Sequence, residues 1–188
     1  MPFKFNETQI PGVILVEAEK IFDRRGYFME IYQKSAFRKG GIRSDFVQEN
    51  ISISKGKVLR GLHYQKVPKS QGKLVQCIKG KIYDVAVDIR RGSPSFGKWL
   101  GKYLSDSNRN MLYIPPGFAH GFLSTSNQAE VKYKTTEEYS PKYQAGIIWD
   151  DPDLSIEWPL NDEPVISERD GNLPTLEEAE INFHYREN

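Results

Sequence analysis

Turn-forming clusters interrupt this chain roughly every ten residues, and that spacing limits the folds open to it. They stand at Pro11-Gly12, Arg24-Arg25-Gly26, Lys39-Gly40-Gly41, Ser54 to Lys57, Ile78 to Lys81, Arg90 to Ser93, Ser105 to Asn108, Pro115 to Gly117 and Thr125 to Asn127. Between them lie short runs rich in Val, Ile, Tyr and Phe. Such runs are too short for helices and suit an all-β sandwich or barrel. The segment "LVQCIKGKIYDVAVDI" predicts a hairpin with Lys79-Gly80 at its tip. Helical periodicity is confined to "QKSAFRKGG", ended by Gly40, and to "TLEEAE" near the C-terminus. No repeat or linker divides the 188 residues, so a single domain over 1–188 is expected.

Charge narrows the function classes. The formal net charge is +1, and the short clusters Lys79–Lys81 and Arg90–Arg91 are expected to be solvated turns. Nucleic acid calls for a basic stripe, which is missing. No apolar run reaches the ~18 residues of a spanning helix. "MPFKFNETQIPG" lacks the apolar core of a signal peptide. The single cysteine, Cys77, has no disulfide partner in the chain and reads as a buried small apolar residue. A cytoplasmic protein with no nucleic-acid or membrane partner is the expectation.

Strand alternation then separates faces. In "QENISIS", Gln48, Asn50, Ser52 and Ser54 share one face and Ile51 and Ile53 the other. Either the polar face meets solvent, or it lines a barrel mouth that holds a polar ligand. In "EVKYKT", Lys132 and Lys134 suit solvent, which turns Val131, Tyr133 and Thr135 inward. Lys73 shares a face with Val75. In "RGLHYQ", Arg60 and His63 have opposite parity, so a flat strand would send them to opposite faces. Gly61 lies between them and marks an expected bulge or bend.

"IPPGFAHGF" carries Pro115, Gly117 and His120 as P-x-G-x-x-H. This resembles the second signature of the cupin superfamily, a double-stranded β-helix or jelly roll. Metal-binding cupins pair it with an H-x-H, whereas "RGLHYQ" has one histidine. Of the three histidines, His184 sits in a terminal tail expected to be mobile. Two histidines without a suitably spaced carboxylate make a poor metal site, so no metal is expected.

Further blocks carry a more specific resemblance: "FDRRGYFME", "FVQENISIS", "VLRGLHYQ", "SPSFGKW", "YKTTEEYSP", "WDDPDLSIEWP" and "SERD". Their order over about residues 10–176 is similar to that of the dTDP-4-dehydrorhamnose 3,5-epimerases, metal-free cupin-type enzymes of activated L-rhamnose synthesis. The resemblance implies a mainly β, cupin-like jelly-roll barrel with a few short helices. It implies proton transfer at C3 and C5, both α to the C4 ketone of a dTDP-4-keto-6-deoxyhexose, with no cofactor.

The resemblance also assigns residues. His63 matches the general base, with Asp170 as its dyad partner. Lys73 matches the cation beside the C4 enolate and Tyr133 the acid on the opposite face. An imidazole suits a base that both takes and releases protons near neutral pH, and a cation placed where negative charge develops lowers the barrier. His120 matches a group near the reacting sugar. Arg60 matches a diphosphate ligand, Gln48 and Asn50 further binding positions, and Tyr139 a thymine-stacking aromatic. Arg25 and Glu30 match nucleotide contacts that arrive from the neighbouring subunit of a homodimer. An N-terminal arm over about 1–45 is expected at that interface, with a C-terminal segment over about 160–188 appended. Two departures stand out: Gln144 occupies a usual glutamate position and Arg169 a usual lysine position. Single-carbon epimerases of other deoxysugars keep the same constellation. A non-catalytic sugar-nucleotide-binding cupin would be expected to lose His63, Tyr133 or Asp170.

Overall fold

The computed structural model describes residues 2–185. The apolar runs become strands: β1 (Phe3–Glu7), β2 (Ile14–Ala18), β3 (Ile21–Asp23), β4 (Gly26–Phe28), β5 (Gln48–Lys55), β6 (Leu59–Gln65) and β7 (Lys73–Lys79). Then follow β8 (Lys81–Asp88), β9 (Trp99–Ser105), β10 (Met111–Ile114), β11 (Phe118–Ser124), β12 (Gln128–Thr135) and β13 (Gln144–Gly146). Two short helices, α1 (Lys34–Lys39) and α2 (Glu168–Gly171), and one 3-10 turn (Pro141–Tyr143) complete the described elements. One sheet has the order β1-β2-β10-β7-β12-β5, the other β13-β6-β11-β8-β9, and β3 and β4 form a separate ribbon. Sequence neighbours are scattered between two facing antiparallel sheets, as in a jelly roll.

Alternation explains why the sheets face each other. Val75, Cys77, Leu112 and Val131 from the first sheet meet Ile82, Ala86, Leu100, Leu104 and Phe122 from the second in one cluster. Each such side chain contributes about 1.5–3 kcal/mol when fully removed from water. Cys77 is buried here, as expected, and burial pushes its thiol up to about 11. The outer face of the second sheet presents Leu62, Tyr64, Val85, Val87 and Ala119 to Ile147, Leu154, Ala179 and Phe183. The outer face of the first, with Phe3, Val16, Leu74 and Met111, is covered by Ala36 and Phe37 of α1 and by Ile42. Gly40 ends α1, as the sequence predicts.

Four local expectations need correction. The predicted hairpin does not form: β7 pairs with β10 and β12, and β8 with β11 and β9. Both strands are apolar enough to be central in different sheets, so the turn between them crosses the sandwich. Gly80 makes that corner at φ +75, where a Cβ would lie 2.1 Å from the Gln128 carbonyl oxygen. "TLEEAE" closes only one turn, with Glu178 accepting from the Thr175 amide and hydroxyl, because Leu176 and Ala179 are drawn against the second sheet. His184 does not lie in a loose tail: it bridges Arg91, and the neighbouring Phe183 is 7% exposed. Arg90 is no solvated turn residue, since its guanidinium pairs with the fully buried Asp88 at 2.7 Å.

The two open alternatives for β5 resolve toward the interior. Gln48, Asn50 and Ser52 face the pocket between the sheets. Ile51 and Ile53 lie outward, 64% and 52% exposed. The face of β12 follows expectation, with Val131 and Thr135 buried and Lys132 and Lys134 outward beside Glu49.

Candidate active site

One mouth of the sandwich holds a cleft of two lobes, about 220 and 300 Å³. His63, Lys73 and Tyr133 line both lobes and so stand at their junction. They come from opposite walls. His63 lies on β6 in the second sheet, while Lys73 and Tyr133 lie on β7 and β12 in the first. Gln48, Asn50, Tyr139 and Gln144 line one lobe, and Arg60, His120, Arg169 and Asp170 the other. Eleven of the residues singled out from the sequence thus converge on one cleft. Arg25 and Glu30 line neither lobe. Arg25 sits on the exposed β3–β4 turn, where Asp23 accepts its guanidinium hydrogen bond.

Gly61 does what the parity of Arg60 and His63 demands. Its φ is +127, and the β6–β11 register shifts between His120 and Phe122. A Cβ at Gly61 would lie 2.5 Å from the Gly121 Cα and 2.9 Å from the His120 oxygen. The glycine therefore lets β6 press against β11 while the chain changes face. Both Arg60 and His63 reach the cleft as a result. Arg60 is preset there, donating to Ser54 Oγ at 3.2 Å and to the Ile53 carbonyl at 3.0 Å.

His63 Nε2 lies 2.8 Å from Asp170 Oδ1. The second carboxylate oxygen accepts the Gly61 amide at 3.0 Å. Burial pushes the Asp170 carboxyl up, but hydrogen bonds from His63, Gly61 and Ser167 outweigh it and hold the group below its usual range. An ionised Asp170 accepts a hydrogen bond from Nε2–H in the tautomer whose basic nitrogen is Nδ1. Lys73 donates to the His63 carbonyl at 3.3 Å, and burial lowers its amine to about 8. Burial also raises the Tyr133 phenol, opposed by the charge of Arg60, so the hydroxyl keeps its proton. The junction therefore presents an imidazole on one wall and a phenol and an amine on the other.

Asp84 escaped the sequence reading. Its Oδ1 lies 2.7 Å from His120 Nε2, and both side chains are nearly or fully buried. The available signal was a carboxylate alternating with Ile82 and Ala86 on an inward strand face. Burial lowers the basicity of His120, only partly offset by Asp84, so its imidazole is neutral. At the rim, half-exposed Tyr139 donates its hydroxyl hydrogen to Gln144 Oε1 and its amide to Gln48 Oε1. Among the described residues no three His, Cys, Asp or Glu side chains are grouped to hold a metal ion, and no helix is long and apolar enough to cross a membrane.

Comparison with known proteins gives the same picture at greater length. The family model described as dTDP-4-dehydrorhamnose 3,5-epimerase matches residues 7–178. A dTDP-4-dehydrorhamnose 3,5-epimerase of Methanothermobacter thermautotrophicus is 51% identical, over 95% of this chain and 97% of its own. The crystal structure of a dTDP-6-deoxy-D-glucose-3,5-epimerase from Legionella pneumophila, in complex with dTDP-4-keto-L-rhamnose, superposes with a TM-score of 0.94 at 40% identity. That match covers 98% of this chain and 100% of that one. A 3'-monoepimerase from Streptomyces bikiniensis in complex with dTDP-quinovose gives a TM-score of 0.85 at 34% identity, covering 90% and 86%.

Proposed function

This chain belongs to the dTDP-4-dehydrorhamnose 3,5-epimerase family, and from that we propose a mechanism in which its two sheets divide the proton transfers between them. The enzyme is an isomerase that inverts C3 and C5 of dTDP-4-dehydro-6-deoxy-D-glucose to give dTDP-4-dehydro-L-rhamnose. His63 Nδ1 removes the proton α to the C4 ketone, and the electron pair moves onto the ketone oxygen. Lys73, as an ammonium, offsets the charge that develops there. Tyr133 returns a proton to the opposite face of the carbon, and exchange with water then deprotonates His63 and reprotonates Tyr133. Asp170 holds the His63 tautomer and stabilises the imidazolium. The observation that carries this reading is the placement of His63 on one sheet and Tyr133 on the facing one, with Lys73 between the lobes. Inversion needs a base and an acid on opposite sides of a ring.

The remaining groups bind. Arg60, preset by Ser54 and Ile53, and Arg169 provide guanidinium donors suited to a diphosphate. His120 contacts the sugar, and Gln48, Asn50, Gln144 and the half-exposed ring of Tyr139 receive the nucleotide. Arg25 and Glu30 act in the cleft of a second copy. Exposed apolar side chains support that homodimer: Ile21, Phe22 and Phe28 on the β3–β4 ribbon, and Val47, Ile51 and Ile53 on or beside β5. Such exposed faces mark interaction surfaces. Light scattering is expected to give twice the 21.6 kDa chain mass. The enzyme works in the cytoplasm on a freely diffusing nucleotide sugar.

Incubation with the 4-keto-6-deoxyglucose nucleotide in heavy water tests the reaction. NMR should find deuterium at both C3 and C5 in an L-lyxo product. Label confined to C3 would instead assign the chain with the 3'-monoepimerase it also resembles.

A further inference from the structure

Asp84 sits on the inner face of β8 among Ile82, Ala86, Leu100, Leu104 and Phe122, with no solvent exposure. Its Oδ1 is engaged by His120, but its Oδ2 has no hydrogen-bond partner among the described residues. A buried carboxylate with an idle oxygen is a liability for folding, and an apolar side chain would serve the core better. Lys102 stands opposite it in the β8–β9 register, yet no ion pair joins them. A residue so costly to the fold points to a task in the cleft.

The charges around the junction define that task. Lys73 shares a lobe with the carboxylate of Asp170 on α2, and the charge of Asp84 on β8 reaches it. Both oxygens of Asp170 are committed, one to His63 and one to the Gly61 amide. Asp84 is the carboxylate left to balance Lys73, and its charge favours the ammonium against burial. The cations Arg60 and Arg169 line the same lobe and oppose a further positive charge there. His63, His120 and Tyr133 line that lobe with Lys73, Tyr64 and Tyr139 line the other lobe with it, and burial together with the charge of Asp84 keeps the Cys77 thiol protonated.

We propose that Asp84 is a positioning residue of the epimerisation. It accepts a hydrogen bond from Nε2–H of His120, leaving Nδ1 as an acceptor for a sugar hydroxyl, and as an anion it is the countercharge that keeps Lys73 an ammonium beside the ketone oxygen. This rests on the epimerase reading above. Asp84 touches no reacting atom and acts through His120 and Lys73.

The test compares the wild-type enzyme with Asp84→Asn over a range of pH, following deuterium exchange by NMR and dTDP affinity by calorimetry. In the variant kcat should fall by about a hundredfold, as expected of misplaced groups, while dTDP affinity is unchanged. The alkaline limb of kcat should move down by about one pH unit or more as Lys73 loses its countercharge. An unmoved alkaline limb in an active variant overturns the proposal. Nitrogen NMR of wild-type His120 gives a readout that does not depend on the variant folding. A proton on Nε2 and none on Nδ1 is expected, and the reverse tautomer overturns the proposal. A wild-type enzyme that exchanges neither carbon refutes the epimerase reading and Asp84's role with it, whereas an unmoved limb refutes Asp84's role alone.

Discussion

The cleft contains two histidine–aspartate pairs built from the same atoms and set in opposite surroundings. In His63–Asp170 the imidazole is 28% exposed, and both carboxylate oxygens are satisfied. In His120–Asp84 the imidazole is 7% exposed, and one carboxylate oxygen is idle. The first pair lies nearer to water, and hydrogen bonds hold its carboxylate as an anion, which suits the proton-transfer role proposed for it. The second cannot charge easily, since burial works against the imidazolium. Solvation and hydrogen bonding, not residue type, therefore separate the group proposed to exchange protons from the one proposed to orient the sugar. The histidines even face each other across β6 and β11, directly opposite in register.

The largest break in this comparison comes at the exposed pair. Asp170→Asn should lower kcat by about 10²–10⁴-fold, the usual scale of positioned acid–base catalysis, with dTDP affinity preserved. A loss no larger than that of Asp84→Asn would mean that the two pairs share one role. Gly61→Ala should have a middling effect, because its Cβ presses on the β11 backbone at His120 and Gly121 and shifts the amide that holds Asp170, while both carboxylates stay in place. A Cβ at φ +127, pressed against Gly121, strains the backbone by about 1–3 kcal/mol. Thermal melting should show a lowered Tm together with reduced kcat, and an unchanged Tm would mean that β6 does not need this close approach. The smallest effect is one of pH. The proposed mechanism needs Lys73 as an ammonium and burial lowers its amine to about 8, so its contribution is present below that pH and lost above it. Above about 8 the rate should fall by up to about tenfold per pH unit, and Lys73→Arg, which cannot deprotonate in this range, should abolish that limb. A rate still rising at pH 9 would place the alkaline group elsewhere.

Much of the site was legible because its residues violate local expectations. A histidine and an arginine three positions apart in an apolar strand, separated by Gly61, announced both a site and a backbone irregularity. The inward face of β12 followed from two lysines that prefer water. Asp170 was legible only through resemblance, since by itself it reads as a turn residue before "GNLP". Asp84 was overlooked because a single acidic residue in a strand ordinarily signals the solvent face, and its partner His120 lies 36 positions away.

By itself the sequence determined strand-sized segments, the positions of turns, the inward side of several strands and the residue types available for proton transfer. These follow from local alternation and backbone preferences, which are properties of a few adjacent residues. Tertiary structure alone decided which strands pair, so "LVQCIKGKIYDVAVDI" spans two sheets rather than forming a hairpin. It decided that the polar face of β5 turns inward, because facing strands enclose a polar cleft there instead of apolar core. It also decided which histidine is buried and which is open to water, because that depends on how groups far apart in the chain pack around each ring.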